Sequence, residues 1–355
     1  MAVPDVRTIA LALQGGGSHA AFTWGVLDRL LDEVSAGRLR ISAFSGTSGG
    51  ALNAAVCVYG LSQTVDEAKR LLKELWDKVS DESLWPVNPY GILFGKNQPS
   101  RWNVDWSPTA IALGMAEQIY SPYLNPWFAN PIGPLVEQVI VDFDRLNQPT
   151  SDIPKLFVCA TDVNRTALRI FRLGEITAEA LMASACYPTL FRAVHIDGSF
   201  YWDGGYMGNP ALNPLLDWAD DLLTVLIDPL DVASGPPITA RQIVNRINEV
   251  SFGSSWVLEM RMIELINELL AKGHLVGGKY RTKRFHVIRD DGFMEQIGAA
   301  SKLNPSRDFI YELHAVGKKV ADTWIQENFE KIGVSSSFDA NEQVALRLAR
   351  SGDLR

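Results

Sequence analysis

The sequence predicts an α/β fold, with a mostly parallel central sheet covered by helices on both faces. Three observations carry this. Apolar runs alternate with helical periods over the first 79 residues. The runs are continuous rather than alternating, as in strands buried on both faces. Similar runs return near residues 155, 221 and 284.

Thr8 to Leu13 is a short apolar run stopped by Gly15, Gly16 and Gly17, and reads as a buried strand. Trp24, Leu27, Leu31 and Val34 follow at the spacing of one helix face. Arg40 to Ser45 reads as the next strand, Gly49 to Tyr59 as an Ala-rich helix, and Val65 to Val79 as an amphipathic helix. Strand, helix, strand, helix is the order of a covered parallel sheet. Residues 84–134 break the pattern with Trp85, Trp102, Trp106 and Trp127 among Pro and Asn, and read as an insertion. Lys155 to Asp162 and Ala167 to Leu173 then suggest neighbouring strands, and Thr177 to Ala185 a short helix. Asp221 to Pro229 and Arg284 to Asp290 are further strands. Ala240 to Lys272 is strongly helical, with a break expected near Gly253 and burial against the sheet expected. Pro305 suits the start of a last helix reaching about Phe329. The domain reading is one unit over 1–332, with a helical extension at 240–330, and a loosely attached tail at 333–355.

Composition excludes some functions. A formal net charge of -8 argues against a nucleic-acid surface, which needs a basic excess. Cys57, Cys159 and Cys186 sit in apolar stretches without paired spacing, so they read as buried free thiols suited to a reducing compartment. The apolar run near the N-terminus is short for a signal peptide, and none approaches the roughly 20 residues of a membrane span. The expectation is a soluble cytoplasmic protein that touches a membrane or lipid surface peripherally without crossing it. Asp and His show no metal-ligand spacing, so no metal is expected.

Two glycine motifs carry the chemistry. Gly15, Gly17 and Ala20 match G-x-G-x-x-A between a strand and a helix, which is a dinucleotide fingerprint. That fingerprint needs a carboxylate at the end of the second strand, and "AFSGTSGG" offers none, so no cofactor is expected. The same loop can instead aim free backbone N–H groups at an oxyanion. The second strand ends in G-x-S-x-G, with Ser48 between Gly46 and Gly50. Flanking glycines permit a sharp turn that exposes a nucleophilic hydroxyl. In a parallel sheet these two strand ends lie side by side.

A serine needs a base. His274, His286 and His314 are the late histidines, and His286 and His314 lie within a strand and a helix pattern, not at strand ends. Asp203 follows an aromatic strand-like run and precedes Gly204 and Gly205; it is either a base at a strand end or an ordinary turn aspartate.

Together, "LALQGGGSHAAF", "SGTSGGALNAAV" and "ASACYPTLFRAVHIDGSFYWDGGYMGNPAL" resemble the patatin-like phospholipase family. Residues 240–330, including "SKLNPSRDF", resemble a C-terminal extension of bacterial members. The resemblance implies a patatin-like three-layer sandwich with a Ser48–Asp203 dyad. It places the oxyanion hole on Gly15, Gly16 and Gly17, joined by Gly49. It implies that "ASACYP" buttresses the site and matches Asn209 and Pro210 to the family's pattern. The family carries a basic residue and then Gly where this chain has His19 and Ala20. A His19 aimed at the site would assist the reaction and add a titration near pH ~6 to 7.

The function this predicts is a serine hydrolase of lipid acyl esters. Two alternatives stand: a depolymerase of a bacterial storage polyester with the same dyad, and a nucleotide-binding or pseudoenzyme module. The aromatic insertion reads either as a lipid-facing surface or as a self-packed loop. "KYRTKR" (Lys279 to Arg284) reads either as a head-group contact or as solvated charge. The sequence sets no oligomeric state.

Overall fold

The computed structural model describes residues 6–81, 102–103, 121–124, 130–148, 153–232, 235–238, 240–275, 278 and 280–340. Among them, eight strands build one mixed sheet: β1 (Arg7–Leu13), β2 (Leu39–Thr47), β3 (Lys155–Asp162), β4 (Ala167–Arg172), β5 (Val194–Ile196), β6 (Ser199–Asp203), β7 (Asp221–Val225) and β8 (Arg284–Ile288). The order is β5-β6-β3-β2-β1-β7-β8, with β4 also paired to β3. The central strands β3, β2, β1, β7 and β8 run parallel, and β4, β5 and β6 join antiparallel.

Helices cover both faces, and β1 shows why. Ile9, Leu11 and Leu13 enter one core, while Ala10 and Ala12 enter a second on the other face. Helices α1 (Ala20–Ser35), α2 (Gly49–Leu61), α3 (Val65–Val79) and α9 (Arg307–Asn328) build the first layer. The short helices α4 (Ile132–Val139), α5 (Phe143–Asn147), α6 (Ala178–Ser184) and α8 (Asp291–Ile297) add to that side. In α3, Thr64 caps the first turn by accepting the Glu67 N–H at 3.0 Å. Helices α1 and α9 cross backbone to backbone at Gly317, where a Cβ would lie 2.0 Å from the Phe22 carbonyl oxygen.

Helix α7 (Ala240–Ala271) forms the opposite layer as one continuous 32-residue helix. The expected break at Gly253 does not occur, because the residues around it keep one inward face. That face is Phe252, Trp256, Met260 and Ile263, and the Trp256 indole N–H donates to Thr224 Oγ1 at 3.1 Å. Burial describes only half of the helix. Ile243, Ile247, Val250, Leu258, Met262 and Leu265 line its outer face at 43–61% exposure. No described helix is long and apolar enough to cross a membrane.

Two further expectations change. Residues 333–340 are not loose: the Ser337 and Phe338 N–H groups donate to the Phe285 carbonyl, and Phe338 packs near Trp256. They lie along β8, which gives them hydrogen-bond partners. Residues 341–355 lie outside the described residues. The basic run is largely structural, because Lys283 and Arg284 pair with Asp220 and Asp221 rather than facing outward. Lys279 lies outside the described residues. Of the aromatic insertion, Trp85, Trp106, Tyr120 and Trp127 are outside the described residues. Trp102 packs against Phe309, and the Tyr123 hydroxyl accepts the Ala193 N–H.

Candidate active site

The sheet brings the distant motifs together through β3. This strand pairs Cys159 with Thr47 of β2 and Ala160 with Asp203 of β6. The residue before Ser48 and Asp203 itself are thus set one register step apart. The Ser48 hydroxyl lies near enough to the Asp203 carboxylate to favour its ionised form.

Ser48 is held in a conformation L-residues avoid, with φ 53° and ψ -126°. Close packing enforces it. A Cβ on Gly50 would lie 2.3 Å from the Leu13 carbonyl oxygen, and one on Gly46 2.7 Å from that of Gly50. The Ser48 N–H donates to Ser184 Oγ at 2.9 Å, and the Ser184 hydroxyl donates to the Cys159 carbonyl at 2.6 Å. Ser184 is the residue through which "ASACYP" supports the turn. Helix α2 starts immediately after Ser48, so its N-terminal amides face this end of the sheet.

The glycine turn lies against the serine. A Cβ on Gly15 would sit 2.5 Å from the Thr47 carbonyl oxygen and 2.7 Å from Ser48 Cβ. The Gly15 N–H already donates to Asn209 Oδ1 at 2.7 Å. Gly15 therefore provides close approach, and its amide is not a free oxyanion donor as the sequence suggested. The amides of Gly16, Gly17 and Gly49 make no hydrogen bond among the described residues. Gly17 turns the chain with φ +56°. The Gly49 backbone packs on it, since a Cβ there would lie 2.9 Å from the Gly17 carbonyl oxygen.

Asp203 ends β6 and is 6% exposed. Its N–H donates to the Cys186 carbonyl, and its Oδ1 accepts the Gly205 N–H at 2.8 Å. Burial lifts its pKa to about 6, although the Gly205 N–H, the Ser48 hydroxyl and the charge of Lys302 all pull it down. A carboxylate of that basicity suits proton abstraction near neutral pH.

The expected assistance from His19 is overturned. Its ring is buried against the C-terminal part of the chain, with Nε2 2.6 Å from Ser301 Oγ. Burial and the charge of Lys302 hold its pKa well below the usual imidazole value, so no extra titration near neutrality comes from it. Nor do His286 and His314 serve Ser48. His286 lies between Asp221 and Ser337, resembling a triad in composition, but Asp221 opens β7 and so marks the opposite end of the sheet. His314 packs on Trp24 and Asp28. Burial raises the thiols of Cys159 and Cys186 to about 11 and about 12, and pushes Cys57 up further, so none competes as nucleophile.

Sequence reasoning missed Ser184, Gln14 and Lys302. They lie within the quoted motifs, but only long-range hydrogen bonds and an ion pair reveal what each of them does.

Asp203 links this site to stability. Its pKa in the fold, about 6, lies above the ordinary 3.8, so the fold prefers the neutral carboxyl. That contribution is full below about pH 4 and is lost as pH rises through about 6. Holding the ionised form costs the fold about 3 kcal/mol. Urea unfolding of Asp203→Asn at about pH 8 is therefore expected to show a variant more stable than wild type by up to about 3 kcal/mol, with the gap closing toward about pH 4. Equal stability at both pH values would contradict a buried, ionised Asp203.

A family model described as patatin-like phospholipase matches residues 11–216. Among solved structures, VipD from Legionella pneumophila is similar at 14% identity and a TM-score of 0.36, covering 88% of this chain and 67% of that one. The ExoU–SpcU complex from the type III secretion system of Pseudomonas aeruginosa is similar at 15% identity and a TM-score of 0.31, covering 90% of this chain. The chain spans only 52% of that relative's length. No curated protein sequence matches the chain significantly. The family match spans the glycine turn, Ser48 and Asp203, which are the segments the sheet gathers at one end. The chain belongs to the patatin-like phospholipase family.

Proposed function

We propose that this protein cleaves carboxylic ester bonds of lipids by two-step acyl transfer, with Ser48 as nucleophile and Asp203 as base. The observation that carries the reading is that β3 brings Ser48 beside the buried Asp203 carboxylate, whose pKa burial raises to about 6. Asp203 takes the proton as Ser48 Oγ bonds to the ester carbonyl carbon. The carbonyl oxygen gains the negative charge and is held by the amides of Gly16, Gly17 and Gly49. Collapse expels the alcohol, which recovers the proton from Asp203. Water then attacks the acyl-serine, again giving a proton to Asp203, and the fatty acid leaves as Ser48 is reprotonated. Each surviving oxyanion donor is worth about 10²- to 10³-fold in rate. The storage-polyester reading shares this chemistry, and the exposed apolar helix favours a lipid surface over it.

That helix supports peripheral contact with a bilayer. The inner face of α7 walls the site through Phe252, which packs edge-on to Tyr206 and lies against Gly205. Its outer face presents an apolar stripe to solvent. Seating that stripe in a lipid interface would bring the site beside its substrate.

Fluorophosphonate labelling tests the chemistry. Wild type is expected to label at Ser48. Ser48→Ala is expected to lose labelling and ester hydrolysis outright, and Asp203→Asn to lose at least about 10²-fold in rate. Hydrolysis retained in Ser48→Ala would refute the reading.

Flotation with phosphatidylcholine vesicles tests the surface. The double substitution Leu258→Asp with Met262→Asp is expected to weaken vesicle binding at least about tenfold. Turnover of a soluble short-chain ester should be unchanged. Undiminished vesicle binding would remove α7 as the contact.

A further inference from the structure

The glycine turn is not completed by the family-matched segment alone. Residues 299–303, far outside residues 11–216, form a single turn that packs directly on it. A Cβ on Gly17 would lie 2.3 Å from the Lys302 carbonyl oxygen, and one on Gly16 3.7 Å from Lys302 Cε. Lys302 thus runs along the outside of the same two residues whose amides are free.

Two anchors hold it there. The Ser301 hydroxyl donates to the Gly298 carbonyl at 2.7 Å, so His19 Nε2 must be the protonated nitrogen that donates to Ser301 Oγ at 2.6 Å. His19 pins the turn as a neutral imidazole. On the other side, Lys302 Nζ is 2.5 Å from Asp228 Oδ1. Asp228 is fixed in turn, since its N–H and that of Ile227 both donate to Gln14 Oε1, at 2.9 and 2.7 Å. Gln14 is the residue immediately before the three glycines. The lysine and the turn are thereby locked in one closed ring of contacts.

A buried cation is costly unless something uses its charge. Asp228 is 4% exposed and Lys302 18%, so the pair is far from a solvated surface bridge. The surrounding charged and titratable groups are Asp228, Glu249 and Arg246 of α7, Tyr187, His19 and Asp203. Burial works to neutralise Lys302, but Asp228 and Glu249 outweigh it and keep the ammonium charged.

We propose that Lys302 is an electrostatic positioning residue of the esterase site: its ammonium, fixed beside the Gly16–Gly17 turn, favours negative charge on the oxyanion and on the Asp203 carboxylate. This rests on the Ser48–Asp203 reading above. The charge is delivered by the C-terminal part of the chain, which makes that part necessary for rate and not only for packing. The position of His19 then has a purpose different from assistance in catalysis: it clamps the segment that carries the cation.

The test compares Lys302→Met/Asp228→Asn, which leaves no unpaired buried charge, with Lys302→Arg, Asp228→Asn alone and Ser48→Ala. The substrate is a soluble uncharged ester, and pH–rate profiles and thermal midpoints are recorded for each. The double variant is expected to lose about 10- to 100-fold in kcat with KM changed by less than about threefold. Its acid limb should move to higher pH, while Lys302→Arg keeps most of the rate. Asp228→Asn alone, which unmasks the ammonium, should move the acid limb the other way. Opposite movements cannot come from loosened packing. Unmoved limbs in both Lys302→Met/Asp228→Asn and Asp228→Asn, with Ser48→Ala inactive, would overturn this inference and leave the dyad standing. Activity in Ser48→Ala would instead overturn the dyad. If the double variant melts at assay temperature, the sign of the shift in Asp228→Asn decides.

Discussion

The register of β3 is the constraint on which the site depends. One strand pairs Cys159 with Thr47 and Ala160 with Asp203, and so brings β2 and β6 to a common end. A strand offset by one residue would reverse which face each side chain meets. Ser184 reinforces the arrangement from outside the sheet by joining the Ser48 N–H to the Cys159 carbonyl. Gly204 shows how tight it is, because a Cβ there would lie 2.2 Å from that same carbonyl oxygen.

The site holds groups in states the fold does not favour. Ser48 sits at positive φ, and Asp203 carries its charge where little solvent reaches. Both costs are met by neighbours that are themselves well fixed: the glycine turn, the Asn209 side chain on Gly15, and the two apolar cores on either face. The same burial that destabilises the carboxylate raises its basicity. Stability and reactivity at Asp203 thus share one cause, the burial of its carboxylate.

Much of this was legible in the chain itself. Continuous apolar runs marked the buried parallel strands, because helices on both faces leave no polar side to alternate with. Ser48 and the glycines were legible because sharp turns demand small residues in fixed order. Asp203 needed the company of the other motifs, since Asp-Gly-Gly alone also describes a common turn. What stayed hidden depends on contacts across long stretches of chain. Lys302 lies within "SKLNPSRDF", but nothing in that run says that it pairs with Asp228, and nothing in "SHA" says that His19 faces Ser301. The break expected at Gly253 failed because packing of Phe252 and Trp256 overrides the weak helix preference of one glycine. The tail at 333–340 looked loose because Ser-rich composition does not reveal that β8 offers it hydrogen-bond partners.

The central claim is that a buried carboxylate, and no imidazole, activates Ser48. The most direct measurement is the rate of Ser48 acylation by a soluble activated ester as pH is varied. The rate should rise with pH through a single limb centred near the Asp203 value of about 6, and His19→Gln, which keeps an N–H donor for Ser301, should leave that limb in place. A limb near the ordinary carboxylate value of about 4, or one abolished by His19→Gln, would contradict the account.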